Sequence, residues 1–241
     1  LKCVVAILAG GLATRLRPLT TEIPKALIPV CGKPFIDYQF SLLEGMGFTD
    51  VVVCTGYKGT MIEDHVRTLK PRLHVKFSHD GDVLLGTGGA LMKALPDLGE
   101  RFLVIYGDSY LEGDYPAIVK HFDAARTNPT PLGLMTVFRN SGQFDKSNVL
   151  FRGGAIESYN KRSPSADMDY IDWGLGILHR RAFEPFASQS VFDLALVYED
   201  LVSRRQLLGF EVTNRFFEIG SIQGIEDLES HLKKKSPNVT F

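Results

Sequence analysis

Residues 2–30 read KCVVAILAGGLATRLRPLTTEIPKALIPV, an apolar run that empties into Gly10 and Gly11 and then into a segment carrying Arg15, Arg17 and Lys25. The run is too short to span a membrane and shows no polar alternation, which is the pattern of a strand covered on both faces. Two glycines at its end let the backbone turn sharply and approach a ligand with no side chain between. N–H groups freed in such a turn, with guanidinium and ammonium groups beyond, make a site for an anion. Pro18, Pro24 and Pro29 restrict the backbone around those cations and keep their geometry. The segment matches neither a Walker loop nor a G-x-G-x-x-G fingerprint.

Further along, strand-like and helix-like patterns alternate. Residues 33–46 have helical apolar spacing ended by Gly47, and 51–54 read as a buried strand. A helix over 61–69, a strand over 73–77, a helix from Ala90 and a strand over 102–106 follow, then a helix over 117–125 and a strand over 132–138. This order predicts an α/β domain, a mainly parallel sheet with helices on both faces and ligands at the carboxyl ends of the strands. From Ser141 the texture shifts to Gly, Asn, Asp and shorter strands, so 1–140 reads as the core and 141–220 as a small β lobe built on the same sheet. Residues 192–201 have helical spacing with Asp193 as a cap, and 221–241 close the single domain with a helix whose lysines suit the negative end of its dipole.

The 241 residues carry a formal charge of -1 and 44% hydrophobic residues, enough for a large core without staples. No basic field exists for nucleic acid, so any cationic patch is local and aimed at a small anion. Nor does any segment read as a membrane span or signal peptide. Cys3, Cys31 and Cys54 are odd in number and widely spaced, the usage of reduced thiols in a cytoplasmic protein.

Three further stretches carry chemistry. Ser78-His79-Asp80-Gly81-Asp82 offers an imidazole and two carboxylates, but Asp-Gly between structured runs is first a turn signal. Thr87, Gly88 and Gly89 form a glycine loop before a helix, suited equally to a flat base or to a structural turn. Asp108 ends the 102–106 strand, where a carboxylate points into the ligand crevice and suits a hard cation such as Mg²⁺; helix capping is the competing role. Asn148 and Glu157 are candidate hydroxyl partners. Trp173, the single tryptophan, suits stacking on a pyranose face and core filling equally. The six histidines show neither ligand spacing nor a nucleophile partner.

The stretches LAGGLATRLRPLT (residues 8–20) and PKALIPVCGKP (residues 24–34) resemble the two opening signatures of the sugar-1-phosphate nucleotidylyltransferases. Ala13 stands where that family usually has glycine. The resemblance implies a Rossmann-like three-layer sandwich, a mixed, mostly parallel sheet and a sugar-binding lobe. It places the nucleotide at Leu8, Ala9, Gly10, Gly11, Ala13, Thr14, Thr87, Gly88 and Gly89. Arg15 and Lys25 become the catalytic cations, and Asp108 the Mg²⁺ ligand together with Glu218, where the family usually has Asp. Lys161 matches the lysine that contacts the sugar phosphate, and Trp173-Gly174 lies in a strand like the family's sugar-contacting one. The implied substrates are an NTP and a sugar 1-phosphate, the Gly-Thr-Gly-Gly-Ala loop being most like guanylyltransferases for mannose or heptose phosphates. UTP- or CTP-dependent transfer remains the alternative, and short members of such families often form homo-oligomers. Two other classes compete: a glycosyltransferase, which wants a D-x-D pair where this chain has Gly107-Asp108-Ser109, and a nucleotide-binding module without catalysis, motivated by Ala13 and Glu218.

Overall fold

A computed structural model of the chain describes residues 3–12, 14–16 and 19–235, the side chains of Arg15 and Leu19 excepted. The apolar run forms β1 (Val4–Leu8), followed by α1 (Leu19–Glu22), the short hairpin β2 (Pro29–Val30) and β3 (Lys33–Pro34), and α2 (Phe35–Gly45). Next come β4 (Asp50–Thr55), α3 (Gly59–Leu69), β5 (His74–His79), α4 (Gly86–Leu98), β6 (Arg101–Tyr106), β7 (Ser109–Leu111) and α5 (Tyr115–Ala124). The second half holds β8 (Gly133–Arg139), β9 (Val149–Arg152), β10 (Ala155–Tyr159), β11 (Tyr170–His179), α6 (Ala195–Ser203), β12 (Leu207–Val212), β13 (Phe216–Glu218) and α7 (Ile222–Lys235).

Among the described residues nine strands form one sheet in the order β5-β4-β1-β6-β11-β8-β12-β10-β9. The β5-β4-β1-β6 half is parallel, as is β8–β12, while β11 runs antiparallel to β6 and β8, and β10 to β12 and β9. The strands expected as a β lobe are divided: β12, β10 and β9 extend the far end of this mixed sheet, β11 lies between β6 and β8, and β13 pairs with β7 outside it. Alternation along β1 shows why both faces are covered: Val5 and Ile7 join a core cluster with α2, α3 and α5, and Ala6 joins the opposite cluster with α4 and α6. Trp173 belongs to the first of these clusters, 1% exposed, with its Nε1 donating to Asn214 O at 2.8 Å. Sugar stacking is thereby excluded for Trp173, since its ring is enclosed by protein.

A third cluster packs Leu228 and Leu232 of α7 on Leu16, Ile28, Val30, Phe35, Tyr110 and Phe217. Polar ties hold the same helix: Glu229 Oε1 accepts the Cys31 N–H at 2.8 Å, and Glu112 pairs with His231 and Lys235. The end of the chain thus braces the segment that follows the first glycines. All three cysteines are free and buried, and burial pushes the Cys54 thiol up to about 12. Among the described residues no helix is long and apolar enough to cross a membrane.

Candidate active site

The carboxyl ends of the parallel strands open into a cleft of about 240 Å³. Its lining includes Leu8, Ala9, Gly10 and Gly11 after β1, Tyr106, Gly107 and Asp108 after β6, and Lys25 and Thr87 from the loops. The two strand ends are locked together, because Gly107 N donates to Leu8 O at 2.9 Å. A side chain at Gly107 would place its Cβ 2.7 Å from that oxygen and 2.9 Å from Ala9 Cα, so only glycine permits this approach.

Asp108 is positioned from three sides. Its carbonyl accepts Ile219 N–H at 2.9 Å, tying it to the end of β13. Below it, the buried side-chain amide of Gln39 donates to Tyr106 O at 2.8 Å and Ser109 O at 2.9 Å, bracketing the turn. Across the cleft, Lys25 Nζ lies 2.8 Å from Asp108 Oδ2, with both side chains mostly sheltered from solvent. Nothing in the sequence around Gln39 marks it, since its role depends on a helix crossing beneath a strand end.

Glu218 stands opposite Ser109 in the β13–β7 pairing, one residue from Asp108 in register. It is exposed and lines a neighbouring depression of about 400 Å³ with Arg215 and Asp227. Among the described residues, no group of three or more His, Cys, Asp or Glu side chains is placed to hold a metal ion. Thr14 sits exposed in a 3-10 turn over Thr14–Leu16. Ala13 and the Arg15 side chain lie outside the described residues.

The second glycine segment has a different environment. Gly86 to Gly89 form the first turn of α4, which begins four residues before the sequence pattern predicts. Gly88 and Gly89 direct their N–H groups to Phe192 O at 2.9 and 3.3 Å, while Phe192 N donates to Leu85 O. A Cβ on Gly88 would sit 2.3 Å from the Phe192 ring, and one on Gly89 2.3 Å from Ser190 O. These two glycines are buried against protein, whereas Gly86, Thr87 and Ala90 reach the cleft. Asp80, read from sequence as a turn residue, also lines the cleft; its Oδ2 accepts Leu85 N–H at 3.1 Å, and burial raises its pKa.

Beyond Tyr106 lies a polar cluster that brings Asn148, Lys161 and Gly174, all named from the sequence, around Asp172, which was not. Strand β11 shifts register against β8 between Asp172 and Gly176, and within this irregularity Gly174 adopts φ +103. The distortion turns Gly174 N–H onto Asp172 Oδ1 at 3.0 Å, while Asn148 Oδ1 accepts Asp172 N–H at 3.0 Å. Asn148 and Gly174 therefore support Asp172. Burial raises the Asp172 carboxyl to about 6, with the Gly174 N–H and the Lys161 charge pulling in the opposite direction. Lys161, half-exposed, places Nζ 5.9 Å from the Tyr106 ring centre and 4.0 Å from Asp193 Oδ2. Glu157 is engaged elsewhere, 3.7 Å from Arg152.

Comparison with known proteins agrees with this architecture. The chain is 28% identical over 217 residues to the D-glycero-alpha-D-manno-heptose 1-phosphate guanylyltransferase of Aneurinibacillus thermoaerophilus, covering 89% of this chain and 91% of that one. It is 27% identical over 228 residues to the N-acetylmuramate alpha-1-phosphate uridylyltransferase of Neisseria meningitidis, covering 93% and 96%. The crystal structure of HddC from Yersinia pseudotuberculosis complexed with GMP-PN superposes with a TM-score of 0.78 at 25% identity, over 96% of this chain and 100% of that one. Residues 4–142, more than half of the sequence and the part that supplies Gly10, Lys25, Gly107 and Asp108, match the nucleotidyl transferase family, and the chain belongs to that family.

Proposed function

We propose that the protein transfers the nucleotidyl group of GTP to a mannose- or heptose-type sugar 1-phosphate, giving an NDP-sugar and pyrophosphate. The observation that carries this reading is the pairing of Lys25, from the loop after β1, with Asp108, at the end of β6, beside Gly10 and Gly11 in one cleft. A sugar 1-phosphate, with a second pKa of about 6, is largely a dianion at neutral pH and needs no general base. One of its oxygens attacks the α-phosphorus of the nucleotide. The new P–O bond forms as the bond to the β-phosphate breaks, and pyrophosphate carries away the electron pair. Positioning and charge neutralisation dominate such a barrier.

Lys25 draws the two phosphates together, and Arg15 meets the charge on the transferring and leaving groups. The Gly10–Gly11 turn admits the phosphates without steric interference, and Thr87 borders the base. Lys161 holds the sugar phosphate, while Asp172 accepts a sugar hydroxyl at the Tyr106 end of the cleft. Asp108, just before β7, and Glu218, on the paired β13, would be the hard oxygen donors to Mg²⁺. When bound there, the ion supplies charge neutralisation to phosphate oxygens.

Uridylyl transfer is the second reading, favoured by the similarity to the Neisseria uridylyltransferase across almost the full chain. Pyrophosphate release with Mg²⁺, measured for GTP, UTP, CTP, ATP and dTTP against mannose, heptose, glucose and N-acetylmuramate 1-phosphates, tests both readings. Turnover confined to GTP with a mannose- or heptose-type phosphate is expected. Preferential turnover of UTP would replace the first reading with the second, and nucleotide binding without release from any pair would leave a binding module.

A further inference from the structure

We propose that Asp193 is a positioning residue whose carboxylate competes with the sugar phosphate for Lys161. The inference rests on the reading of Lys161 as the sugar-phosphate cation. Asp193 lies just before α6, on the segment whose Phe192 is bonded to the first turn of α4. Its Oδ1 accepts Ala195 N–H at 2.8 Å and Thr87 Oγ1 at 3.3 Å, and Thr87 Oγ1 itself accepts Leu194 N–H at 2.8 Å. Those bonds fix one oxygen and leave Oδ2 as a stationary charge 4.0 Å from Lys161 Nζ. The same ammonium is also within the field of Asp172 and above the Tyr106 ring.

An anion reaching Lys161 therefore meets a charge already partly offset by a neighbour. A phosphate monoester near charge -2 competes well for it. Once incorporated into a diphosphate, the same phosphorus carries close to a single negative charge and competes less well. Asp193 thus weakens the hold on the sugar phosphate generally, and more so after transfer, which favours release of the product. Both side chains are about half exposed, 50% for Lys161 and 44% for Asp193, so the effect is modest and sensitive to salt.

The test is Asp193→Asn, which keeps an oxygen acceptor for Ala195 N–H and Thr87 Oγ1 but removes the charge facing Lys161. At low salt, KM for the sugar 1-phosphate is expected to fall about two- to fivefold, with KM for the nucleotide unchanged and the difference closing as salt is raised. In a Lys161→Gln background the same substitution is expected to leave the sugar-phosphate KM unaltered. An unchanged sugar-phosphate KM in the single variant at low salt overturns the proposal and leaves Asp193 as an anchor for α6 and Thr87. A fall of equal size in the Lys161→Gln background also overturns it, because the charge then acts without the lysine. If Lys161→Gln by itself does not raise that KM, the underlying reading of Lys161 fails, and this inference with it.

Discussion

Two glycine segments border the cleft, and they are used in opposite ways. A Cβ built at Gly11 meets nothing within 4 Å, and the residue is exposed at the end of β1. Gly88 and Gly89, by contrast, are pressed against Phe192 and Ser190 with their N–H groups already bonded to protein. Similar composition thus leaves Gly11 open at the cleft, beside a Gly10 whose Cβ would come within 3.1 Å of Gly56 N, and makes of Gly88 and Gly89 a closed seam joining α4 to the segment before α6. The difference teaches that a glycine run reports close approach of a backbone, while the approaching group is decided elsewhere in the chain.

Substitutions can break this comparison most sharply at the open end. Lys25→Ala and Asp108→Ala are each expected to lower kcat by about 10²- to 10³-fold, the size seen when one preorganised charge-stabilising group is removed. Chemical denaturation should show a loss of about 1–3 kcal/mol for Lys25→Ala, since the sheltered Asp108 carboxylate then loses its partner. Pyrophosphate release close to that of the unaltered protein in either variant would remove the pair from the chemistry.

At the closed seam the expected effect moves from turnover to stability. Gly88→Ala places a methyl group into the Phe192 ring and should destabilise by about 1–3 kcal/mol, read as a lower urea midpoint. Gly11→Ala should leave the midpoint unchanged while raising KM for the nucleotide. Equal stability losses at the two glycines would erase the distinction drawn here. Gln39→Leu tests the support beneath the open end: loss of the donor to Tyr106 O and Ser109 O should cost about 1–3 kcal/mol and lower kcat as the Asp108 turn loosens.

Asp172 gives a smaller, pH-dependent effect. Its folded pKa, about 6, is raised by burial above the ordinary carboxylate value, so between about pH 4 and pH 6 the folded state holds this proton more tightly than the unfolded state. Stability contributed by this group therefore falls as pH rises through that window and is constant above it. Relative to Asp172→Asn, the unaltered protein should lose about 2 kcal/mol between pH 4 and pH 7, measured as the difference between urea-unfolding free energies of the two proteins across that range. A difference constant with pH would show that burial does not shift the carboxyl as described.

Much of the parallel half was legible in the chain. The unbroken apolar runs at Val4–Leu8 and residues 102–106 became adjacent central strands, as expected of strands covered on both faces. Gly10, Gly11, Lys25 and Asp108 stood out through their combination and the resemblance of the opening segments to a known family, and the structure gathers all four around one cleft. Trp173 could not be resolved from sequence, since a tryptophan in a strand suits either a ligand face or a core; burial and the bond to Asn214 O decided it. Asp172, Gln39 and the second role of Asp193 carried no local signal. Each depends on a register shift, a crossing helix or an ion pair between separate elements.

The sequence by itself determined the alternation of elements, the strand that organises the sheet and the membership of the first 140 or so residues in a nucleotidyl transferase family, because those rest on local periodicity and contiguous motifs. Only the tertiary structure decided which glycines face the cleft, which carboxylates face Lys161, and that α7 braces the first loop. The physical reason is that charge and shape complementarity act between groups brought together by packing, and their separation along the chain leaves no trace in a local pattern.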